Sequence, residues 1–179
     1  MRKTTLTPDD LARAVRNVPD FPQPGIQFKD ITPVLADPEL FAGTIDLLTA
    51  DVVPGSVDTV VGIDARGFIF ASAAALKLKA GFVPIRKKGK LPYKTFEQSY
   101  ALEYGSSTVA IHVDALKPGS RVLLVDDLLA TGGTAAAAAA LIKKIGAEIV
   151  EIAFLIELGF LKGRDKLRGF PVRSLIVYP

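Results

Sequence analysis

The segment DDLLATGGT, residues 126–134, holds the groups in this chain best suited to chemistry. Thr131, Gly132, Gly133 and Thr134 lie between an apolar run, Val122 to Val125, and an alanine-rich stretch of helical composition. A helix starting there exposes N–H groups without intrahelical partners, and the positive end of its dipole adds to their pull on an anion. The glycines let the backbone close on a phosphate, and the threonine hydroxyls add donors without charge. No lysine follows the glycines, so an ordinary P-loop of the GxxxxGK(S/T) type is excluded. Asp126 and Asp127 stand at the end of the apolar run, where successive side chains leave on opposite faces. Carboxylates so placed accept hydrogen bonds from vicinal hydroxyls. A phosphate cradle beside a diol acceptor describes a ribose 5-phosphate. A second anion site is marked by Arg86, Lys87, Lys88, Lys90 and Lys94, five cations in nine positions with no acid among them.

The elements that must position these groups follow from periodicity. Thr7 caps a short helix begun by Pro8, with Leu11, Ala14 and Val15 at helical spacing. The stretch PDFPQPGIQFKDITP, Pro19 to Pro33, carries too many prolines for a regular helix or a central strand, and reads as an ordered loop or hood. Asp37 and Pro38 open a second helix through Leu40, Phe41, Ile45, Leu47 and Leu48. Thr59 to Val61 is a buried strand ending at Gly62, followed by the loop IDARG and a helix from Phe68 to Leu78. Phe82 to Ile85 is the next strand. The polar connection from Lys87 to about Ser99 has neither apolar period and suits a lid. A hairpin-like pair, Tyr100 to Tyr104 and Thr108 to Val113, turns at Gly105 and Ser106. The strand Val122 to Val125, a helix from Thr134 to Lys144, and strands at Ile149 to Ile156 and Ser174 to Val177 complete the chain. Strands alternating with helices predict an α/β fold with a central, mostly parallel sheet flanked by helices. Ligands of such sheets sit at the carboxyl ends of the strands, which points at the loops IDARG, RKKGK and DDLLATGG together.

Composition narrows the chemistry. The chain has 179 residues, which fits one domain, with 49% hydrophobic and 23% charged residues. It contains no cysteine, excluding disulfides, thiolate metal sites and cysteine nucleophiles, and this suits a reducing compartment. A single histidine, His112, excludes a multi-histidine metal centre and leaves a Ser-His-Asp triad without support. The net charge of +3 is too mild to argue for nucleic acid. MRKTTLTPDD lacks the roughly 7 to 15 apolar residues of a signal peptide, and no apolar stretch approaches the roughly 20 residues of a membrane span. The expected setting is the cytoplasm, without membrane or nucleic-acid partners.

VLLVDDLLATGGT at 122–134 resembles the phosphoribosyl pyrophosphate signature of the type I phosphoribosyltransferases. FPQPGIQFKDITPVL at 21–35, RGF at 66–68, IRKKGKLP at 85–92 and LEYG at 102–105 are similar, in order, to segments of the adenine phosphoribosyltransferase family, so the likeness covers nearly the whole chain. The resemblance implies one domain over 1–179, with a hood at about 1–35, a core at about 36–179 and a lid loop at about 87–99. It implies transfer of a 5-phosphoribosyl group from phosphoribosyl pyrophosphate to adenine, giving AMP and pyrophosphate in purine salvage, in a cytoplasmic homodimer.

The same resemblance assigns Asp126 and Asp127 to the ribose hydroxyls and Ala130, Thr131, Gly132, Gly133 and Thr134 to the 5-phosphate. Arg66, with Arg86, Lys87 and Lys90, meets pyrophosphate, and Mg²⁺ held mainly by substrate oxygens and water completes the charge balance. Glu103 is the family's candidate acid that protonates adenine N7 when AMP is cleaved and takes that proton in synthesis; with Arg66 it forms the catalytic set. Phe28 stacks on the base, the backbone of Gln27 and Lys29 reads its edge, and Leu158 is the opposite wall. The family often has arginine at Lys29 and serine at Ala65. Two alternatives stay open at this stage: a 6-oxopurine as the base, and a regulator that senses phosphoribosyl pyrophosphate without turnover.

Overall fold

The computed structural model describes residues 6–101 and 105–179. The chain forms two compact units, Met1–Ala50 and Asp51–Pro179.

In the first unit, Thr7 and Asp10 form a reciprocal capping box at the start of α1 (Pro8–Ala14). The proline-rich stretch then builds a small antiparallel ribbon of β1 (Arg16–Pro19) and β2 (Gln27–Asp30), with Val18 opposite Phe28. This agrees with the exclusion of a central strand, because Pro22 and Pro24 fall in the connection, where no ladder N–H is needed. The short helix α2 (Thr32–Ala36), which the sequence reading did not foresee, takes Pro33 in its first turn. Asp37 accepts from the N–H groups of Glu39 and Leu40 to start α3 (Pro38–Leu48). Leu11, Ile31, Val34 and Leu48 are buried.

The second unit contains β3 (Thr59–Ile63), α4 (Gly67–Leu78), β4 (Gly81–Lys87), β5 (Thr95–Ala101), β6 (Ser106–His112), β7 (Arg121–Leu129), α5 (Gly133–Ile145), β8 (Glu148–Leu158) and β9 (Val172–Tyr178). Its seven-stranded sheet has the order β5-β6-β4-β3-β7-β8-β9. β4, β3, β7, β8 and β9 are mutually parallel, and β6 and β5 continue one edge antiparallel. The apolar runs of β3, β7 and β8 are covered on both faces, as expected of a parallel interior. Val61, Ile63, Leu124, Leu141, Ile142 and Phe154 belong to one core cluster. Among the described residues no helix is long and apolar enough to cross a membrane.

Two elements differ in extent from the sequence expectation. The hairpin strands are β5 and β6, so β5 takes in Thr95–Ser99 of the segment read as lid, and only about 88–94 remains as irregular connection. β5 has a mixed surface because it is an edge strand, and its partner β6 supplies the ladder that its own pattern does not announce. β7 continues past Val125 to Leu129 for a similar reason, since Asp126, Leu128 and Leu129 pair with Phe154, Ile156 and Glu157.

Leu124 is fully buried in β7. Leu124→Ala is expected to lower stability in urea unfolding by about 2–5 kcal/mol. A loss below about 1 kcal/mol would place this strand outside the cooperative core.

Candidate active site

The parallel register of β4, β3, β7 and β8 gathers their carboxyl ends along one rim of the sheet. Asp126 and Asp127 sit within the last residues of β7, their alternation set by the pleat. Asp127 is 7% exposed. Arg66, on the loop between β3 and α4, places Nε 2.8 Å from Asp127 Oδ2. Asp126 Oδ1 accepts from the backbone N–H of Asp127 at 2.9 Å. Burial, followed by the adjacent charge of Asp127, raises the Asp126 carboxyl well above the ordinary carboxylate range. Burial raises Asp127 too, against the opposing pull of Arg66. Gly67 lets α4 begin against this pair, because a Cβ there would stand 2.5 Å from Asp126 Oδ1.

The same loop reaches the cationic segment. Arg86 Nε lies 3.2 Å from Asp64 Oδ2, and its Nη1 donates to the Lys90 carbonyl at 2.9 Å. One guanidinium thus fixes both IDARG and the turn at Lys87–Lys90. The Asp64–Ala65 peptide bond is cis. Lys88 pairs with Glu97 of β5 at 2.8 Å, so the acid that balances this cluster comes from the neighbouring strand, not from the cluster's own sequence. Lys87 and Lys90 are exposed.

Beyond β7, Asp126, Ala130, Thr131, Gly132, Gly133 and Thr134 line a cavity of about 80 Å³. Gly132, with φ +76°, turns the chain into α5, and no side chain caps the helix. A Cβ on Gly132 would come within 2.2 Å of the Gly163 carbonyl oxygen, and one on Gly163 within 2.1 Å of the Ala130 carbonyl oxygen. The Thr134 hydroxyl donates to the Tyr100 phenol at 3.0 Å. A Cβ on Gly133 would touch the same ring, at 3.0 Å from Cδ2. The arrangement can accept a phosphate at the helix start and hydroxyl donors at the carboxylates.

Most of the sequence-predicted residues therefore meet: Asp126 and Asp127, Ala130 to Thr134, Arg66 and Arg86 belong to three linked loops. Leu158 ends β8, half-buried and paired with Tyr178. In the first unit Gln27, Phe28 and Lys29 form β2. There the Phe28 ring meets Phe21 edge-on at 5.1 Å between centroids, and Lys29 Nζ donates to Asn17 Oδ1. Glu103 and Tyr104 lie outside the described residues. Sequence reasoning missed Gly163 and Tyr100. The first stands in an unremarkable basic turn, and the second in a strand without alternation, so neither carries a local signal.

A family model, the phosphoribosyl transferase domain, matches residues 37–169. The chain is 60% identical over 166 residues, 93% of its length and 94% of the relative's, to an adenine phosphoribosyltransferase of Acidothermus cellulolyticus. It belongs to the phosphoribosyltransferase family. The crystal structure of adenine phosphoribosyltransferase from Rhodothermus marinus matches this phosphoribosyltransferase with a TM-score of 0.91 and 52% identity, covering 96% and 98% of the two chains. The Saccharomyces cerevisiae adenine phosphoribosyltransferase, solved with an iminoaltritol bisphosphate and adenine, matches at 0.86 with 42% identity over 94% and 97%. The α/β architecture expected from the sequence is the architecture of this family.

The raised Asp126 carboxyl has a consequence for stability. Between the ordinary carboxylate value and the raised one, the folded chain holds more protons than the unfolded chain, so stability falls as pH rises through that window. Asp126→Asn is therefore expected to raise the melting temperature of the ligand-free phosphoribosyltransferase at pH 7. The gain should shrink as pH falls below the ordinary carboxylate range. A melting temperature unchanged or lowered at pH 7 would show that the carboxylate is not held against its solvation.

Proposed function

We propose that this enzyme transfers the 5-phosphoribosyl group of phosphoribosyl pyrophosphate to adenine, forming AMP and pyrophosphate in purine salvage. The observation that carries the reading is the pair Asp126 and Asp127 immediately ahead of a glycine-bounded helix start, in one continuous strand and loop. The base is supported by relatives named adenine phosphoribosyltransferase, 60% identical in the first case, and by the yeast enzyme solved with adenine. The bond from the anomeric carbon to pyrophosphate breaks ahead of attack by adenine N9. Positive charge develops on the sugar, and negative charge on the leaving group.

The chain's residues would share this work as follows. Ala130 to Thr134 hold the 5-phosphate, and Asp126 and Asp127 accept from the ribose hydroxyls. Arg66 lies against Asp127, so it would orient the ribosyl pyrophosphate as the hydroxyls take over the carboxylate. Arg86, Lys87 and Lys90 stabilise the departing pyrophosphate. Glu103 takes the N7 proton of adenine. Phe28, Gln27, Lys29 and Leu158 bind the base. Residues 1–35 would act as a hood, and the irregular connection at about 88–94 as the lid that excludes water.

Magnesium is assigned to the substrate rather than to a protein cage. The donors fit that role: Asp126 and Asp127 are two adjacent carboxylates near the end of β7. Bound Mg²⁺ would neutralise pyrophosphate charge. A cytoplasmic homodimer is the proposed working state. The exposed apolar face of α4, where Leu76 is 83% accessible and Ile69 lies two turns before it, supports the dimer.

The test is AMP formation from phosphoribosyl pyrophosphate and Mg²⁺ with adenine, guanine, hypoxanthine and xanthine in parallel. Turnover with adenine alone is expected. Turnover with a 6-oxopurine would discard the base assignment, and ligand binding without turnover would make the protein a sensor. Asp127→Asn should raise KM for phosphoribosyl pyrophosphate, and Glu103→Gln should lower kcat by roughly 10²-fold or more. Unchanged kinetics in both would remove these acids from the mechanism.

A further inference from the structure

The phosphate loop is braced by a backbone, not by side chains. Gly163 follows Lys162, whose φ of 52° turns the chain back toward the sheet, and it opens a 3-10 turn, Gly163–Leu167. Its main chain faces that of Ala130 and Gly132 so closely that neither glycine leaves room for a Cβ. The position of the turn therefore sets how far the loop can relax on that side.

The turn is held in place by Arg164. Its Nε donates to Glu157 Oε1 at 3.1 Å and its Nη2 to Glu157 Oε2, the fork geometry that fixes a guanidinium in orientation as well as distance. Nη1 donates to the Val172 carbonyl at 2.7 Å and Nη2 to Ser174 Oγ at 3.3 Å. The Ser174 hydroxyl in turn donates to Glu157 Oε2 at 2.6 Å. Glu157 is 7% exposed, and Arg164, then Ser174, hold its carboxyl below the ordinary range. In the register of β7 and β8, Glu157 stands opposite Leu129, the residue just before Ala130. The contacts close a ring from Leu129 across the ladder to Glu157, through Arg164 to Gly163, and back onto Ala130.

We propose that Arg164, clamped by Glu157, is a positioning residue for the 5-phosphate. It touches no reacting atom, and it acts by keeping Gly163 against the loop so that the N–H groups of Thr131 to Thr134 stay at the spacing one phosphate requires. The inference rests on the assignment of that loop to the 5-phosphate. A role confined to stability would weaken all ligands alike or none. A positioning role weakens only those that carry the 5-phosphate.

The experiment compares wild type with Arg164→Met, Arg164→Lys and Ser174→Ala by calorimetric titration with ribose 5-phosphate and, separately, with pyrophosphate, alongside steady-state kinetics. In Arg164→Met the Kd for ribose 5-phosphate should rise about tenfold or more, the scale of a misaligned hydrogen bond to a charged group. The Kd for pyrophosphate should not change, and KM for phosphoribosyl pyrophosphate should rise more than kcat falls. Arg164→Lys keeps the charge without the fork and should recover only part of the loss; with Ser174→Ala it reads the same contrast if Arg164→Met does not fold. An unchanged Kd for ribose 5-phosphate in all three variants, or equal losses for both ligands, would overturn the proposal while leaving the proposed reaction standing. Failure of wild type to bind ribose 5-phosphate would overturn both.

Discussion

Two adjacent carboxylates drawn out of water at the end of one strand are the constraint around which this molecule is organised. Isolated, the pair would be costly, because burial and mutual repulsion both act against charge. The fold offsets part of this cost locally. β3 lies beside β7 in parallel register, and the loop leaving β3 returns Arg66 to Asp127. α4 can start there only because Gly67 has no side chain to strike Asp126. The two carboxylates are thus fixed by contacts within the chain, Asp127 by Arg66 and Asp126 by the Asp127 N–H.

The compensation continues outward. Arg66 answers Asp127, Asp64 answers Arg86, and Glu97 answers Lys88, so three ion pairs run from the centre of the sheet to its antiparallel edge. Of these, the exposed Lys88–Glu97 pair contributes little to stability. Their effect lies in fixing long side chains along one path, so that an incoming polyanion meets cations whose rotamer freedom is already reduced.

Much of this was legible in the chain. The strand, carboxylate, glycine and helix signals of residues 122–146 are local, each carried by residue types with a backbone preference, and they appear where periodicity puts them. Extents were less legible. That Asp126 and Asp127 lie inside β7 depends on hydrogen bonds to Phe154 and Ile156, some thirty residues away, which no local pattern expresses. Thr95–Ala101 is a strand only because β6 lies beside it. Gly163 reads as a turn glycine, and only the backbone contact with Ala130 and Gly132 gives it a place at the site. The base-binding and proton-transfer roles came from family likeness alone, since nothing in the spacing of Phe28, Leu158 or Glu103 distinguishes them.

The helix whose start lines the cavity is built largely of methyl groups on its buried side, with Ala135, Ala137, Ala138 and Ala139 covered before the first larger side chains at Leu141 and Ile142. Alanine has no rotamers to exchange, so the opening turns of α5 have no side-chain freedom with which to absorb a change in the pocket. A change in the shape of the cavity must therefore come from the side chains around it, Tyr100 on Thr134 among them, and not from those of the helix that opens it.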